Sequence, residues 1–152
     1  MFRVVRVGVV LGILVSGFLS AGCGSGTPVA LPPETAEDLA HKSKMTEVGL
    51  LLSSYSDEKG KPATRVADLA KYENGYPSGF IQVRQGGVVV LWSVPTVKTA
   101  VDTIIAYEAE TPKSGGYVLM QDGTTVKKLT AEEFQTTPKA AELPSSEKPQ
   151  KK

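Results

Sequence analysis

The chain has 152 residues, a formal net charge of +1, 41% hydrophobic and 22% charged residues, one cysteine and one histidine. One Cys forms no internal disulfide, and one Cys with one His falls short of the four ligands of a structural zinc site. A near-neutral charge lays down no electrostatic footprint for nucleic acid, and the length holds one domain of ordinary size.

Arg3 and Arg6 form a positive start, and Val7 to Leu19 follow without a charge. That apolar run fits the h-region of a secretory signal, about 7–15 residues, and falls short of the ~20 that span a membrane. Leu19-Ser20-Ala21-Gly22-Cys23 comes next, small residues leading to the sole Cys. The stretch resembles the lipobox of bacterial lipoproteins, with one departure: Ser20 stands three before the Cys and Leu19 one step earlier. The resemblance implies that Ser20, Ala21 and Gly22 form the cleavage site, that residues 1–22 are removed, and that Cys23 carries a diacylglyceryl thioether as the new N-terminus. Two acyl chains anchor stably, at about 0.8 kcal/mol per buried CH₂, where one is marginal. Residue 24 is Gly, not the Asp that some lipoprotein sorting systems read as inner-membrane retention, so an outer-membrane destination stays open. The alternatives are an ordinary cleaved signal with a chance Cys, or a retained anchor. Losing Arg3 and Arg6 turns the net charge from +1 to −1, so anchoring does not rest on a basic patch.

Gly24 to Pro33, within a tether over 23–35, is rich in Gly, Ser, Thr and Pro and reads as flexible. Residues 138–152 carry three prolines and neither an aromatic nor a β-branched residue, and read as a disordered tail. The domain is expected over 36–137. Thr35 before Ala36-Glu37-Asp38 is a capping-box-like start. Leu39, Met45, Val48, Leu52 and Tyr55 then recur on roughly one helical face, and Asp57 to Lys61 end the helix. A short second helix is expected from Arg65 to Lys71, capped by Thr64, with Val66, Leu69 and Ala70 inward. Asn74-Gly75 and Tyr76-Pro77-Ser78-Gly79 are turn chemistry.

Phe80 to Gln85 and Val88 to Val94 flank Gly86-Gly87, and predict a β-hairpin whose second strand is central. Thr103 to Glu110 reads as a third strand. Gly116 to Gln121 and Thr124 to Leu129 flank Asp122-Gly123, a second hairpin signal. Thr130-Ala131-Glu132-Glu133 is a capping box for a final helical turn, with Phe134 packing back. A helix followed by consecutive hairpins predicts an α+β domain, its N-terminal helix packed on an antiparallel sheet of about four to five strands.

The order of elements, with Tyr55 on the helix, Gly60-Lys61-Pro62 after it and Gly115-Gly116-Tyr117 through Asp122-Gly123 at the end, resembles the pilin-like globular domain of pseudopilins. It looks closer still to secreted bacterial proteins that share the Gly-Gly…Asp-Gly terminal hairpin. The likeness covers about residues 36 to 135. It implies a scaffold and not filament assembly, because the hydrophobic segment ends in a lipobox and lacks the Glu that supports assembly. Where some relatives carry a His before the Asp-Gly turn, this chain has Pro112.

The candidates for chemistry are few. His41 is expected to be exposed, since no motif places a nucleophile beside it. Glu108 and Glu110 fall on one face of the third strand and could act as a carboxylate pair, though solvated charges at a strand end are the simpler expectation. Asp122 reads as a turn former, because its neighbours lack the oxygen ligands of an EF-hand. Trp92, Tyr107, Tyr117 and Phe80 read as core or half-buried sheet positions, and Trp92, Tyr107 and Tyr117 as a candidate ligand or partner surface. Neither a cofactor nor a metal is called for. The expected function is a non-catalytic interaction or structural role at the cell envelope, linked to secretion in one version. The expected partners are the membrane, through the lipid on Cys23, and an envelope protein of unknown identity. The alternative is an envelope binding module for a small ligand or polysaccharide on the sheet around Trp92 and Tyr107. A hydrolase ranks last and would need His41 or a carboxylate pair inside a cleft.

Overall fold

The computed structural model describes residues 34–141. The expected signal peptide, the lipobox with Cys23, nearly all of the tether and the tail from residue 142 lie outside the described residues. Among the described residues, no helix is long and apolar enough to cross a membrane.

Helix α1 runs Ala36–Lys59 and starts where its capping box predicts: the Asp38 N–H donates to Thr35 Oγ1, and the Asp38 carboxylate accepts from the Thr35 N–H. Gly60, at φ 64°, ends it in the left-handed region that favours glycine. The buried face is Met45, Val48, Gly49, Leu51, Leu52 and Tyr55. Leu39, expected inside, is 52% exposed. A 3₁₀ helix, Val66–Tyr72, buries Leu69 while Ala70 stays exposed. Thr64 does not cap it with its own oxygen; it donates its N–H and hydroxyl to Asp68.

The first expected hairpin is not present. Pro77–Gln85 is a helix, α2, with Pro77 in its first turn and Gly86, at φ 77°, as its left-handed cap. Phe80 and Val83, three apart, face the core as a helix requires. The Gly-Gly pair supplies the positive φ that its chemistry promised, but as a helix stop rather than a hairpin turn. The deciding contact is remote in sequence. The Gly79 N–H donates to Glu47 Oε2 at 2.8 Å, which places an α1 carboxylate at the N-terminus of α2. A Cβ on Gly79 would lie 2.8 Å from the Val48 nitrogen, so α2 can approach α1 only because that side chain is missing.

Strands β1 (Val88–Val90), β2 (Ile104–Glu108), β3 (Gly116–Met120) and β4 (Val126–Leu129) form one antiparallel sheet in that order. The fold class is α+β, with α1 packed on a four-stranded antiparallel sheet, as expected. β1 ends at Val90 and lies at an edge, so it is neither as long nor as central as its apolar run suggested. β2 stops at Glu108, and Glu110 leads instead into a four-residue helix, α3 (Thr111–Ser114). Asp122-Gly123 sits within a five-residue connection rather than a two-residue turn. Helix α4, Ala131–Thr136, carries the predicted capping box between Thr130 and Glu133 and buries Phe134. Beyond it the chain stays paired, with Ile104 N–H donating to Pro138 O and Ala140 N–H to Ile104 O. Order thus continues past the boundary set at residue 138.

The sheet separates two apolar clusters. On the α1 side lie Val88, Val90, Ala106, Tyr117 and Leu119 with the buried face of α1. On the other side, Ile104, Val118 and Met120 pack with Phe134 of α4. The tightest joint is Gly49, where an added Cβ would come within 2.2 Å of the Gly123 carbonyl oxygen. Gly49→Ala is expected to cost about 1–3 kcal/mol, since the helix or the β3–β4 connection must move. Urea unfolding monitored by circular dichroism measures it, and an unchanged midpoint would show that the joint yields freely.

Candidate functional site

Spacings of three and four carry the buried stripe of α1 backward from Tyr55, Leu52, Val48 and Met45 to His41 and Asp38. These two polar residues therefore project from the face of α1 that looks onto the sheet. There they meet the ends of β2, β3 and β4. Glu108 shares the α1 side with its β1 partner Val88, and Tyr117 pairs with Lys128 on that side. The result is a cleft of about 400 Å³ lined by Thr35, Glu37, Asp38 and His41 from α1 and by Glu108, Tyr117 and Lys128 from the sheet.

Two interlocked sets of bonds build it. Asp38 Oδ1 accepts from the Tyr117 hydroxyl at 2.5 Å and from Lys128 Nζ at 2.7 Å, while Oδ2 accepts from the Thr35 hydroxyl at 2.8 Å. These donors, Lys128 first, hold the Asp38 carboxyl well below the usual carboxylate range. Burial, and then the Asp38 carboxylate, push the Tyr117 phenol up to about 12. In the second set, His41 Nδ1 is hydrogen-bonded to Glu108 Oε1, and Glu108 Oε2 accepts the Tyr117 backbone N–H at 2.9 Å. The His41 ring stacks on Tyr117, centroids 5.6 Å apart and planes 22° from parallel, and Lys128 Nζ lies 5.5 Å from the centroid of that same Tyr117 ring.

His41 is thus not the solvated side chain expected of it; its side chain is 32% exposed and bonded to the sheet. Glu108 is likewise enclosed, at 17% exposure. It does not form a pair with Glu110, which is 71% exposed and lies 3.2 Å from Lys113 Nζ. Tyr107 and Tyr117 occupy opposite faces of the sheet. Tyr107 packs on Phe134 at 4.8 Å between ring centroids, and Tyr117 faces α1. Trp92 lies past the end of β1 and packs against the α1-side cluster. Phe80 is buried on α2. The three aromatics named from the sequence therefore do not form one surface, and only Tyr117 reaches the cleft. Asp122 does form its turn. Burial acts to raise its carboxyl, but bonds from the backbone and hydroxyls of Thr124 and Thr125 outweigh that and hold it low. Among the described residues, no group of three or more His, Cys, Asp or Glu is placed to hold a metal ion.

Chemically, Glu108 fixes the imidazole. A carboxylate only accepts, so Nδ1 donates its proton to Glu108, and Nε2 is the ring nitrogen turned toward Glu37, 3.9 Å away. The two hydroxyls lining the cleft, Thr35 and Tyr117, both donate to Asp38. The sequence signal that could have found this site is the spacing of Asp38 and His41 from Met45, which continues the buried stripe. Comparison of the chain with family models, curated proteins and solved structures gives no match.

The carboxylate held low at Asp38 contributes stability above its ordinary value of 3.8 and loses it as pH falls below that. Asp38→Asn should therefore flatten the acid limb of the stability curve below about pH 4, read as the urea midpoint against pH; an unaltered acid limb would remove Asp38 from the account. The phenol raised at Tyr117 acts at the other end. Its contribution is present below pH 10 and lost as pH climbs toward about 12. Absorbance titration should show one fewer late-ionising phenol in Tyr117→Phe.

Proposed function

We propose that this chain is a lipid-anchored cell-envelope protein whose folded part is a non-catalytic interaction module. One observation carries the non-catalytic reading. His41 sits in a cleft beside Glu108, the arrangement of an oriented general base, yet both hydroxyls lining that cleft are committed to Asp38. An imidazole held by a carboxylate, with no free hydroxyl or thiol beside it among the described residues lining the cleft, supports recognition over nucleophilic catalysis. The lipid anchor is supported by the order Arg3, Arg6, an uncharged apolar run, small residues and Cys23. The helix-on-sheet order that resembles a pilin-like scaffold supports a part in an envelope assembly, including one linked to secretion.

A second reading, a module that binds a small ligand, is favoured by the cleft itself, which is concave and gathers polar groups from four elements. Its lining is Tyr117, His41 and carboxylates rather than the sheet around Trp92 and Tyr107.

Metabolic labelling with a radioactive fatty acid tests the anchor. The wild type should be labelled and Cys23→Ala should not, and equal labelling of both overturns lipidation. Co-purification from the native envelope, with Asp38→Ala as the comparison, tests the interaction role. A partner recovered with the wild type and lost with the variant supports it, whereas recovery of nothing above background counts against it.

A further inference from the structure

Helix α1 has a sharp internal boundary. From Met45 onward its inward side chains are core: Met45, Val48 and Leu51 are fully buried, and Gly49 is set against Gly123. No residue of α1 before Met45 is buried. Leu39, the one large apolar side chain of that opening stretch, is exposed. Toward α2 the stretch presents Ala40, Ser43 and Lys44, which line a groove with Ser78, Ile81 and Gln82. Lifting it away therefore uncovers little apolar surface, and the hydrophobic term does little to oppose the movement.

What holds the stretch to the sheet converges on one residue. The Tyr117 hydroxyl donates to Asp38 Oδ1, and the Tyr117 ring stacks on His41. The Tyr117 N–H donates to the Glu108 carboxylate, which also bonds His41 Nδ1. Lys128, the second sheet donor to Asp38, is the register partner of Tyr117. Asp38 and His41 are three apart and share a face of the helix, so both grips rest on the same anchor. The Thr35 cap on Asp38 and the Lys42 pair with Glu34 are local to the stretch and move with it.

We infer that residues 35–44 form a strap that opens and closes as one unit, hinged ahead of Met45, and that the cleft exists only in the closed form. Opening withdraws Thr35, Glu37, Asp38 and His41 together and leaves Glu108, Tyr117 and Lys128 on the sheet, while the core from Met45 onward stays folded. A frayed helix end loosens residue by residue. A stretch with two grips on one anchor releases in a single step. Any partner that touches both walls of the cleft binds the closed form alone and shifts the strap toward it. The inference concerns a motion of the domain itself. It stands apart from lipid attachment and from the choice between a protein partner and a small ligand.

Amide hydrogen exchange of the ¹⁵N-labelled full chain in detergent, followed by NMR, reads the opening residue by residue. The amides of residues 39–44 should share one protection factor, lower than that of residues 48–55. Tyr117→Phe removes the hydroxyl grip on Asp38 and should lower all of them together by about tenfold or more, since the lost bond is to a charged group. His41→Ala is the sharper variant. Alanine is the better helix former, so at a plain helix end it raises protection. Loss of the Glu108 grip should instead lower protection by about tenfold, as much at Leu39 as at Lys44. Both variants should leave residues 48–55 unchanged. The inference is overturned by protection that climbs stepwise from Leu39 to Lys44, by protection equal to that of residues 48–55, or by a gain in His41→Ala. It is overturned as well by an effect of either variant on only part of residues 39–44, or by an equal loss at residues 48–55, which would make the strap part of the core. Neither lipid labelling nor co-purification reads these amides, so failure here is separable from failure of the wider reading.

Discussion

The structure turns on how closely α1 can lie against the β3–β4 connection. At residue 49 there is room for a hydrogen and not for a methyl, with the Gly123 carbonyl in the way of any Cβ. That joint fixes the height and azimuth of the helix. From residue 49 back to residue 38 the helix rises about 16 Å; at one end of that span Gly49 abuts Gly123 of the β3–β4 connection, and at the other Asp38 reaches Tyr117 near the start of β3. A bulkier residue at 49 would lift the helix and separate both polar pairs that build the cleft.

The same arrangement explains which parts of the fold were legible in the sequence. Both capping boxes are local chemistry, complete within four residues, and both form where Thr35 and Thr130 predict. Strands β2, β3 and β4 lie in short segments bounded by turn residues such as Asp122-Gly123, and are read directly. The segment Phe80 to Gln85 does not. Six residues with Phe80, Ile81 and Val83 apolar satisfy a period of two and a period of 3.6 equally well. The choice is made by Glu47 and Val48, more than thirty residues upstream, through Gly79. The brevity of β1 has a nonlocal basis as well: Ser93 leaves the strand at φ 63° and donates its N–H to Ala63 O.

The candidate site was illegible for a related reason. His41 and Glu108 are 67 residues apart, and no spacing rule connects them. What brings them together is the strand register that pairs Glu108 with Val88 and puts both on the α1 side. Leu39 misled in the opposite direction. Its hydropathy suggested a core position, but the stripe defined by Met45, Val48, Leu52 and Tyr55 runs back through His41 and Asp38. The polar residues therefore hold the inward places, and the leucine lies outside.

That inversion ties the site to the order of the helix that carries it. The first buried residue of α1 is Met45, so its opening two turns, from Ala36 to Lys44, bury no apolar side chain in the core. Helix ends fray when little holds them. Here the holding is done by Thr35, Tyr117 and Lys128 on Asp38 and by Glu108 on His41. The groups that shape the cleft are therefore the same groups that keep its supporting turns helical. Protonating Asp38, or withdrawing Tyr117, loosens the scaffold and the site together. Order in the first two turns of α1 therefore rests on polar contacts, in a region where the hydrophobic core does not reach.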